Sequence, residues 1–179
     1  MDGEYRCIVA DPPWRFETLA GFQSAPTRPQ SPPYQTMTVA DITALPVASL
    51  AAPAAHLWLW TTNRHLEVAF GVMRAWGFTY LTTITWTKPS GMGPWFVSTT
   101  QHCLFGYRDR CIFPLAKFRP THFHAAARRH SQKPEQFFDL CEAISPPPRL
   151  ELFARVRRLG WDALGDAVDG HPIQEVLAR

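Results

Sequence analysis

The four cysteines of the chain, Cys7, Cys103, Cys111 and Cys141, include no CxxC pair. That pattern excludes a zinc knuckle or a paired redox motif and leaves them as small buried hydrophobes. His122, His124 and His130 lie close together but lack the paired ligand spacings of a structural zinc site, so no metal is expected. No apolar run reaches the roughly 18 residues that a membrane span needs, and no membrane partner is expected. The opening Met1-Asp2-Gly3-Glu4-Tyr5-Arg6 is acidic and polar, unlike the basic-then-apolar text of a secretory signal. A soluble, cytoplasmic protein is the expectation. A strong excess of one charge is lacking too: 18 Lys and Arg against 15 Asp and Glu give a net charge of +3, compatible with a polyanionic partner without demanding one. No GxGxxG turn follows the first apolar run, so the usual early dinucleotide-binding loop is missing.

What is present is an ordinary globular balance: 179 residues, 46% hydrophobic and 18% charged. That suffices for one domain with a substantial core, taken as residues 1–179. The basic residues are unevenly placed. Arg119, Arg128, Arg129 and Lys133 crowd one stretch, and Arg149, Arg155, Arg157 and Arg158 another; either is also compatible with a solvated face.

Residues 7–10 form a short apolar run cut off by Asp11-Pro12-Pro13, which predicts a buried strand that stops abruptly. The text rich in Pro, Ser, Gln and Gly that follows predicts a long loop over about 14–35. A short helix is predicted over 38–50, capped near Thr38 with Asp41 in its first turn. A strand follows over 56–60, then a helix capped by Asn63, with Leu66, Phe70, Met73 and Trp76 on its apolar face and Gly77 as its stop. Further strands are predicted over 80–87 and 103–107, loops over about 90–101 and 112–132, a helix opened by Pro134 and running to about 144, and a late strand over 150–153. Strands alternating with helices indicate an α/β fold with a single doubly wound sheet.

The tetrapeptide Asp11-Pro12-Pro13-Trp14 sits directly after the first strand, at the carboxyl edge where open α/β sheets bind ligands. From average composition it would arise by chance on the order of once in several thousand chains of this size. The alternative is a proline-stiffened turn with a core tryptophan. A carboxylate followed by fixed carbonyls suits one task well. The exocyclic amine of adenine is a poor nucleophile because its lone pair is delocalised into the ring. Asp11 can accept one N6–H and a backbone carbonyl the other, favouring a pyramidal nitrogen. The prolines remove two donors and fix φ. Trp14 offers a face on which an extruded base can stack, worth about 1–3 kcal/mol.

These residues resemble the adenine-N6 methyltransferases named after the catalytic subunit of the eukaryotic messenger-RNA N6-adenosine methyltransferase, a family that includes small bacterial and phage members. Other separated motifs carry the resemblance: Pro33-Tyr34-Gln35-Thr36-Met37, Trp58-Leu59-Trp60-Thr61, Trp86-Thr87-Lys88, His102-Cys103-Leu104-Phe105-Gly106, Ser131-Gln132-Lys133-Pro134, Glu151-Leu152-Phe153-Ala154-Arg155, Gly160-Trp161 and Leu164-Gly165-Asp166. The resemblance implies a Rossmann-like class I methyltransferase of permuted order, with the catalytic strand early and the cofactor strand late. It implies S-adenosylmethionine as cofactor, no metal, and nucleic acid as partner. By position in the family, Asp11, Pro12, Pro13 and Trp14 are catalytic. Lys133, Phe153, Arg155, Arg157, Arg158 and Asp166 contact the cofactor, and Tyr34, Trp86, Lys88, Trp95 and Arg128 line the path of the substrate. Lys133 can meet the cofactor carboxylate, and Asp166 can accept from ribose hydroxyls. The sequence departs from the family at Gln101, where an acidic residue is common, and at Asp166-Ala167, where an Asn precedes a longer polar residue.

The resulting expectation is an N6-adenine methyltransferase acting on DNA, with RNA the runner-up. The competing class is a catalytically silent nucleic-acid-binding homologue, against which the intact Asp11-Pro12-Pro13-Trp14 speaks. Target choice is expected to reside in the three loops, in a homodimer, or in a second subunit, with loose sequence specificity.

Overall fold

The computed structural model describes residues 3–15, 35–91, 96–110, 113, 118–127 and 132–177. Seven strands form one mixed sheet: β1 (Tyr5–Ala10), β2 (Ala51–Thr61), β3 (Thr79–Thr87), β4 (Thr100–Tyr107), β5 (His122–His124), β6 (Arg149–Leu152) and β7 (Asp162–Leu164). Their spatial order is β5-β3-β4-β2-β1-β6-β7. β1 runs parallel to both β2 and β6, β6 to β7, and β3 to β5, while β4 runs antiparallel to β2 and β3. The first strand and the late strand β6 are therefore neighbours, with Ala10 opposite Leu152. Asp11 and Phe153, one residue beyond each, emerge side by side.

The strand text explains why both faces are covered. Ile8, Ala10, Leu57, Leu59, Leu104, Leu150 and Leu152 face one core, which packs against Ile42 of α1 (Val39–Thr43), Val47 and Leu50 of α2 (Val47–Leu50), and Ala69, Val72 and Met73 of α3 (Leu66–Ala75). The alternate residues Cys7, Val9, Trp58, Trp60, Ile84, Trp86, Cys103 and Phe105 face a second, aromatic core under Phe137, Phe138 and Cys141 of α4 (Glu135–Ile144). Period-two alternation with apolar residues on both faces is what a sheet sandwiched by helices requires. Cys7, Cys103 and Cys141 are free and buried, as small hydrophobes; Cys111 lies outside the described residues. Among the described residues no helix is long and apolar enough to cross a membrane.

Several elements differ from the sequence reading. The helix predicted over 38–50 is two pieces, α1 and α2, separated at Pro46. Its start holds: Thr38 and Asp41 form a reciprocal capping box. Asn63 does not cap α3. Residues Asn63–His65 form a 3-10 turn, and the Asn63 side chain reaches Thr100 Oγ1 (3.0 Å) and His102 Nε2 (2.7 Å) instead. Gly77 does end the helical segment, at φ 81°. Pro134 is the cap of α4 rather than its first residue. The short β5 lies inside the region read as irregular, and β7 follows the Gly160-Trp161 turn. Two further short helices close the chain, α5 (Asp166–Asp169) and α6 (Ile173–Leu177).

Candidate active site

Asp11 leaves the end of β1 into a turn that the two prolines stiffen. The amide of Trp14 donates to the Pro12 carbonyl (2.9 Å), and the amide of Met37 donates to the Pro13 carbonyl (2.8 Å). Each carbonyl keeps a second lone pair. Arg15 N donates to Met37 O (3.0 Å), so the residues on either side of 16–34 pair as a short parallel bridge at Trp14 and Met37.

Lys133, just before α4, is 7% exposed and donates from Nζ to Asp11 Oδ2 at 2.6 Å. Its ammonium also lies 4.9 Å from the centre of the Trp60 ring, a cation–π contact. Lys88, past the end of β3, is half-buried above the Trp86 ring at 5.4 Å. Burial, and after it the repulsion of Lys133, lowers its pKa.

Two cavities share Asp11, Phe153 and Arg155 as walls. The first is completed by Pro13, Gln35, Met37, Asp166 and residues 172–174. The second is completed by Gln132, Lys133, Phe138, Glu151, Val156 and Arg158. Phe153 follows β6 with φ 63°, a left-handed conformation that costs a bulky side chain roughly 1–3 kcal/mol and tends to occur at functional sites. It is held there from the next strand: Ala154 N donates to Leu164 O (3.0 Å). A Cβ on Gly165 would lie 2.8 Å from Ala154 O, so only glycine lets the end of β7 come this close. Glu151, in the second cavity, is pushed up to about 7 by burial; Asp11 and Glu135 push the same way, and Arg158 and Lys133 oppose them.

The structure thus brings together Asp11, Pro13, Lys133, Phe153, Arg155, Arg158 and Asp166. Other predicted residues are placed differently. Trp14 is 5% exposed, its indole N–H donates to Trp60 O (3.0 Å), and its ring stacks on His65. It is an anchor of the turn, and the open stacking face expected of it is covered. Trp86 is buried in the aromatic core, donates to Ala125 O (2.9 Å) and stacks on Phe123. Arg157 lines neither cavity; it is exposed and bonds Asp169 Oδ1 (3.1 Å) and Val168 O (3.2 Å). Arg158 reaches the second cavity while paired with Glu135 and lying 3.8 Å over the Phe138 ring. Tyr34, Trp95 and Arg128 lie outside the described residues.

Sequence reasoning missed Glu151, Met37 and the segment 172–174 as walls of the cleft. Glu151 and Met37 stood inside quoted motifs but bore no chemistry that singled them out. Residues 172–174 fall beyond the last motif, and only folding returns them to Asp11. Among the described residues no group of three or more His, Cys, Asp or Glu is placed to hold a metal ion.

Known proteins are similar to this chain along nearly its whole length. The chain is 29% identical to the "Probable N(6)-adenosine-methyltransferase MT-A70-like" of Oryza sativa subsp. japonica, over 94% of its own length and 24% of that protein's. It is 26% identical to the human "N(6)-adenosine-methyltransferase catalytic subunit METTL3", over 99% of its own length and 31% of that protein's. It is 24% identical to the "Type II methyltransferase M.MunI" of Mycoplasma sp, covering 96% of this chain and 81% of that one. The chain therefore spans about a quarter to a third of the length of the rice and human relatives. The sequence model of the MT-A70 family matches residues 5–167, covering both the Asp11 turn and the Phe153 cleft, and the chain belongs to that family.

Proposed function

We propose that this protein transfers a methyl group from S-adenosylmethionine to the N6 amine of adenine in nucleic acid, with DNA the substrate ahead of RNA. The observation that carries the reading is Asp11, which follows β1 as a shared wall of two cavities and holds Lys133 at 2.6 Å.

The residues present fit this cofactor. Lys133 has three donors, so it can bind a carboxylate while still paired with Asp11. Phe153 gives an apolar wall, Asp166 an acceptor for ribose hydroxyls, and Gly165 the close approach that keeps this corner compact. When bound, the cofactor supplies an electrophilic methyl group on a sulfonium. The chain's own residues then orient the amine. Lys133 engages Asp11 Oδ2, and Oδ1 is the oxygen that accepts from one N6–H. A proline carbonyl of the turn accepts from the other. With both N–H bonds held, the nitrogen lone pair points at the methyl carbon. Bound there, the sulfonium would give its methyl group to the oriented nitrogen and leave as the neutral thioether, and the surplus N6 proton would pass to solvent. Positioning of this kind supplies most of the acceleration.

We rank DNA ahead of RNA because the chain spans 81% of the type II methyltransferase but only 24% and 31% of the rice and human relatives. The relatives named N(6)-adenosine-methyltransferases favour RNA as the second reading. We place the protein in the cytoplasm, with a homodimer or a second subunit contributing to target choice and with loose specificity from the chain alone. Labelled cofactor supplied with single-stranded DNA, duplex DNA and RNA, followed by nucleoside analysis, tests the reading. Label is expected in N6-methyldeoxyadenosine. Asp11→Ala should retain cofactor binding and lose transfer by at least about 100-fold; equal transfer by that variant would refute the assigned role. A single strictly methylated motif of five or more bases, made by the purified chain, would contradict loose specificity.

A further inference from the structure

The turn that carries Asp11 is held from outside by a residue to which no motif pointed. His65, the last residue of the 3-10 turn after β2, is 6% exposed. Its ring lies 5.5 Å from that of Trp14 at an interplanar angle of 20°. Both ring nitrogens are engaged: Nε2 is 3.0 Å from Arg15 O and Nδ1 is 2.9 Å from Thr62 Oγ1. A carbonyl oxygen can only accept, so Nε2 carries the proton; in the neutral ring Nδ1 then accepts from the Thr62 hydroxyl. One side chain thus fixes two consecutive residues of the turn, Trp14 by its face and Arg15 by its carbonyl. Thr62, which orients the imidazole, also accepts the His65 amide at 3.1 Å. Trp14 in turn donates to Trp60 O, and Arg15 N to Met37 O. The clamp therefore ties the end of β2 to both strands of the Trp14–Met37 bridge.

We propose that His65 is a positioning residue for methyl transfer: it holds the Asp11-Pro12-Pro13-Trp14 turn in register with the Phe153 cleft by stacking on Trp14 and bonding the Arg15 carbonyl. The proposal rests on the methyltransferase reading above. Asp11 is separated from Trp14 only by two prolines, whose fixed φ leaves little slack to absorb a shift of Trp14. A displacement of about 1 Å at the reacting amine can cost on the order of 100-fold in rate. His65 is absent from the walls of both cavities, so cofactor binding does not depend on it directly.

The test separates ring from hydrogen bond. His65→Phe keeps a ring against Trp14 and loses both nitrogens. His65→Gln loses the ring but restores an N–H that can reach the Arg15 carbonyl. For His65→Phe we expect kcat to fall about 10- to 100-fold, KM to change by less than about threefold, and calorimetric affinity for S-adenosylhomocysteine to stay within about twofold. His65→Gln should regain most of kcat. Hydrogen exchange of the Arg15 and Met37 amides should accelerate at least about tenfold in His65→Phe and return towards wild type in His65→Gln. Full turnover by His65→Phe, or equal loss of kcat and cofactor affinity in both variants, would overturn the proposal. Should the wild-type chain transfer no methyl group to DNA or RNA, the methyltransferase reading fails by itself. The exchange rates still decide the clamp, and unchanged Arg15 and Met37 exchange in His65→Phe would remove it.

Discussion

Two cations quoted together as cofactor contacts, Lys133 and Arg157, sit in opposite environments, and the difference decides what each contributes. Lys133 is 7% exposed and bridges Asp11, whereas Arg157 is 66% exposed and pairs with Asp169. Removing one partner of a buried pair leaves the other charge uncompensated, while an exposed pair is worth roughly 0–1 kcal/mol. Lys133→Met is expected to weaken cofactor affinity at least about tenfold, and to lower stability by about 1–3 kcal/mol because Asp11 loses its donor. Arg157→Ala should leave cofactor affinity within about twofold and change stability by less than about 1 kcal/mol. Calorimetry with S-adenosylhomocysteine and urea unfolding of the two variants check both statements. A tenfold loss of affinity in Arg157→Ala would return that residue to the cofactor site. Sequence could not separate these two because both are basic residues beside an element end. What distinguishes them is the partner each finds in the folded chain, Asp11 for Lys133 and Asp169 for Arg157.

At the scale of elements, the readable features were those with a local cause. Short apolar runs marked β1, β3 and β6 to within two residues and the second half of β2, Thr38 with Asp41 marked the start of α1, and Gly77 ended the α3 segment. The unreadable features had a distant cause. β5 is three residues whose only reason to be extended is the edge of β3. The antiparallel direction of β4 follows from its place between β2 and β3, and Asn63 abandons the cap because His102 and Thr100 lie within reach across the sheet edge. Two glycines turn the same contrast into a measurement. Gly71 is interior to α3, and a Cβ there meets nothing within 4 Å. Gly71→Ala should therefore raise stability by about 0.5–1 kcal/mol. Gly165→Ala puts its Cβ 2.8 Å from Ala154 O and 3.0 Å from Phe153 C, so β7 must back away from the cofactor corner. Its expected cost is about 1–3 kcal/mol, together with weaker cofactor binding. A Gly165→Ala variant with unaltered melting temperature and affinity would show that this approach is not needed.

For the whole molecule, the pairing of β1 with the late β6 sets Asp11 beside Phe153, and α4 packed on the same sheet brings in Lys133, 122 residues from Asp11 in sequence. The quoted motifs named most of the cleft because each carries its own short signature, but nothing local announced that Glu151 would be buried among them. That burial has a consequence for pH. Glu151 is raised from 4.5 to about 7, chiefly by desolvation. On β2, the central strand, His56 is fully buried, bonds Ser145 Oγ at 2.9 Å and is lowered from 6.5 to about 4, by desolvation first and then by Arg6. For Glu151 the folded chain binds the proton more tightly than the unfolded one, so its stabilisation is whole below pH 4.5 and is lost as pH rises through 7. For His56 the folded chain binds the proton more weakly, so its stabilisation is whole above pH 6.5 and is lost as pH falls towards 4. Each is worth on the order of 3 kcal/mol across its window. Between pH 4.5 and 6.5 the two slopes oppose and nearly cancel. Each single variant should therefore tilt the stability profile in a defined direction. Glu151→Gln removes the term that falls with pH, and its stability relative to wild type should climb by about 2–3 kcal/mol from pH 4.5 to pH 8. His56→Gln removes the opposing term, so its stability relative to wild type should fall by a similar amount from pH 4.5 to pH 6.5. Urea midpoints at four pH values measure both, and parallel profiles for wild type and Glu151→Gln would mean that Glu151 ionises in the folded protein as it does in the unfolded chain.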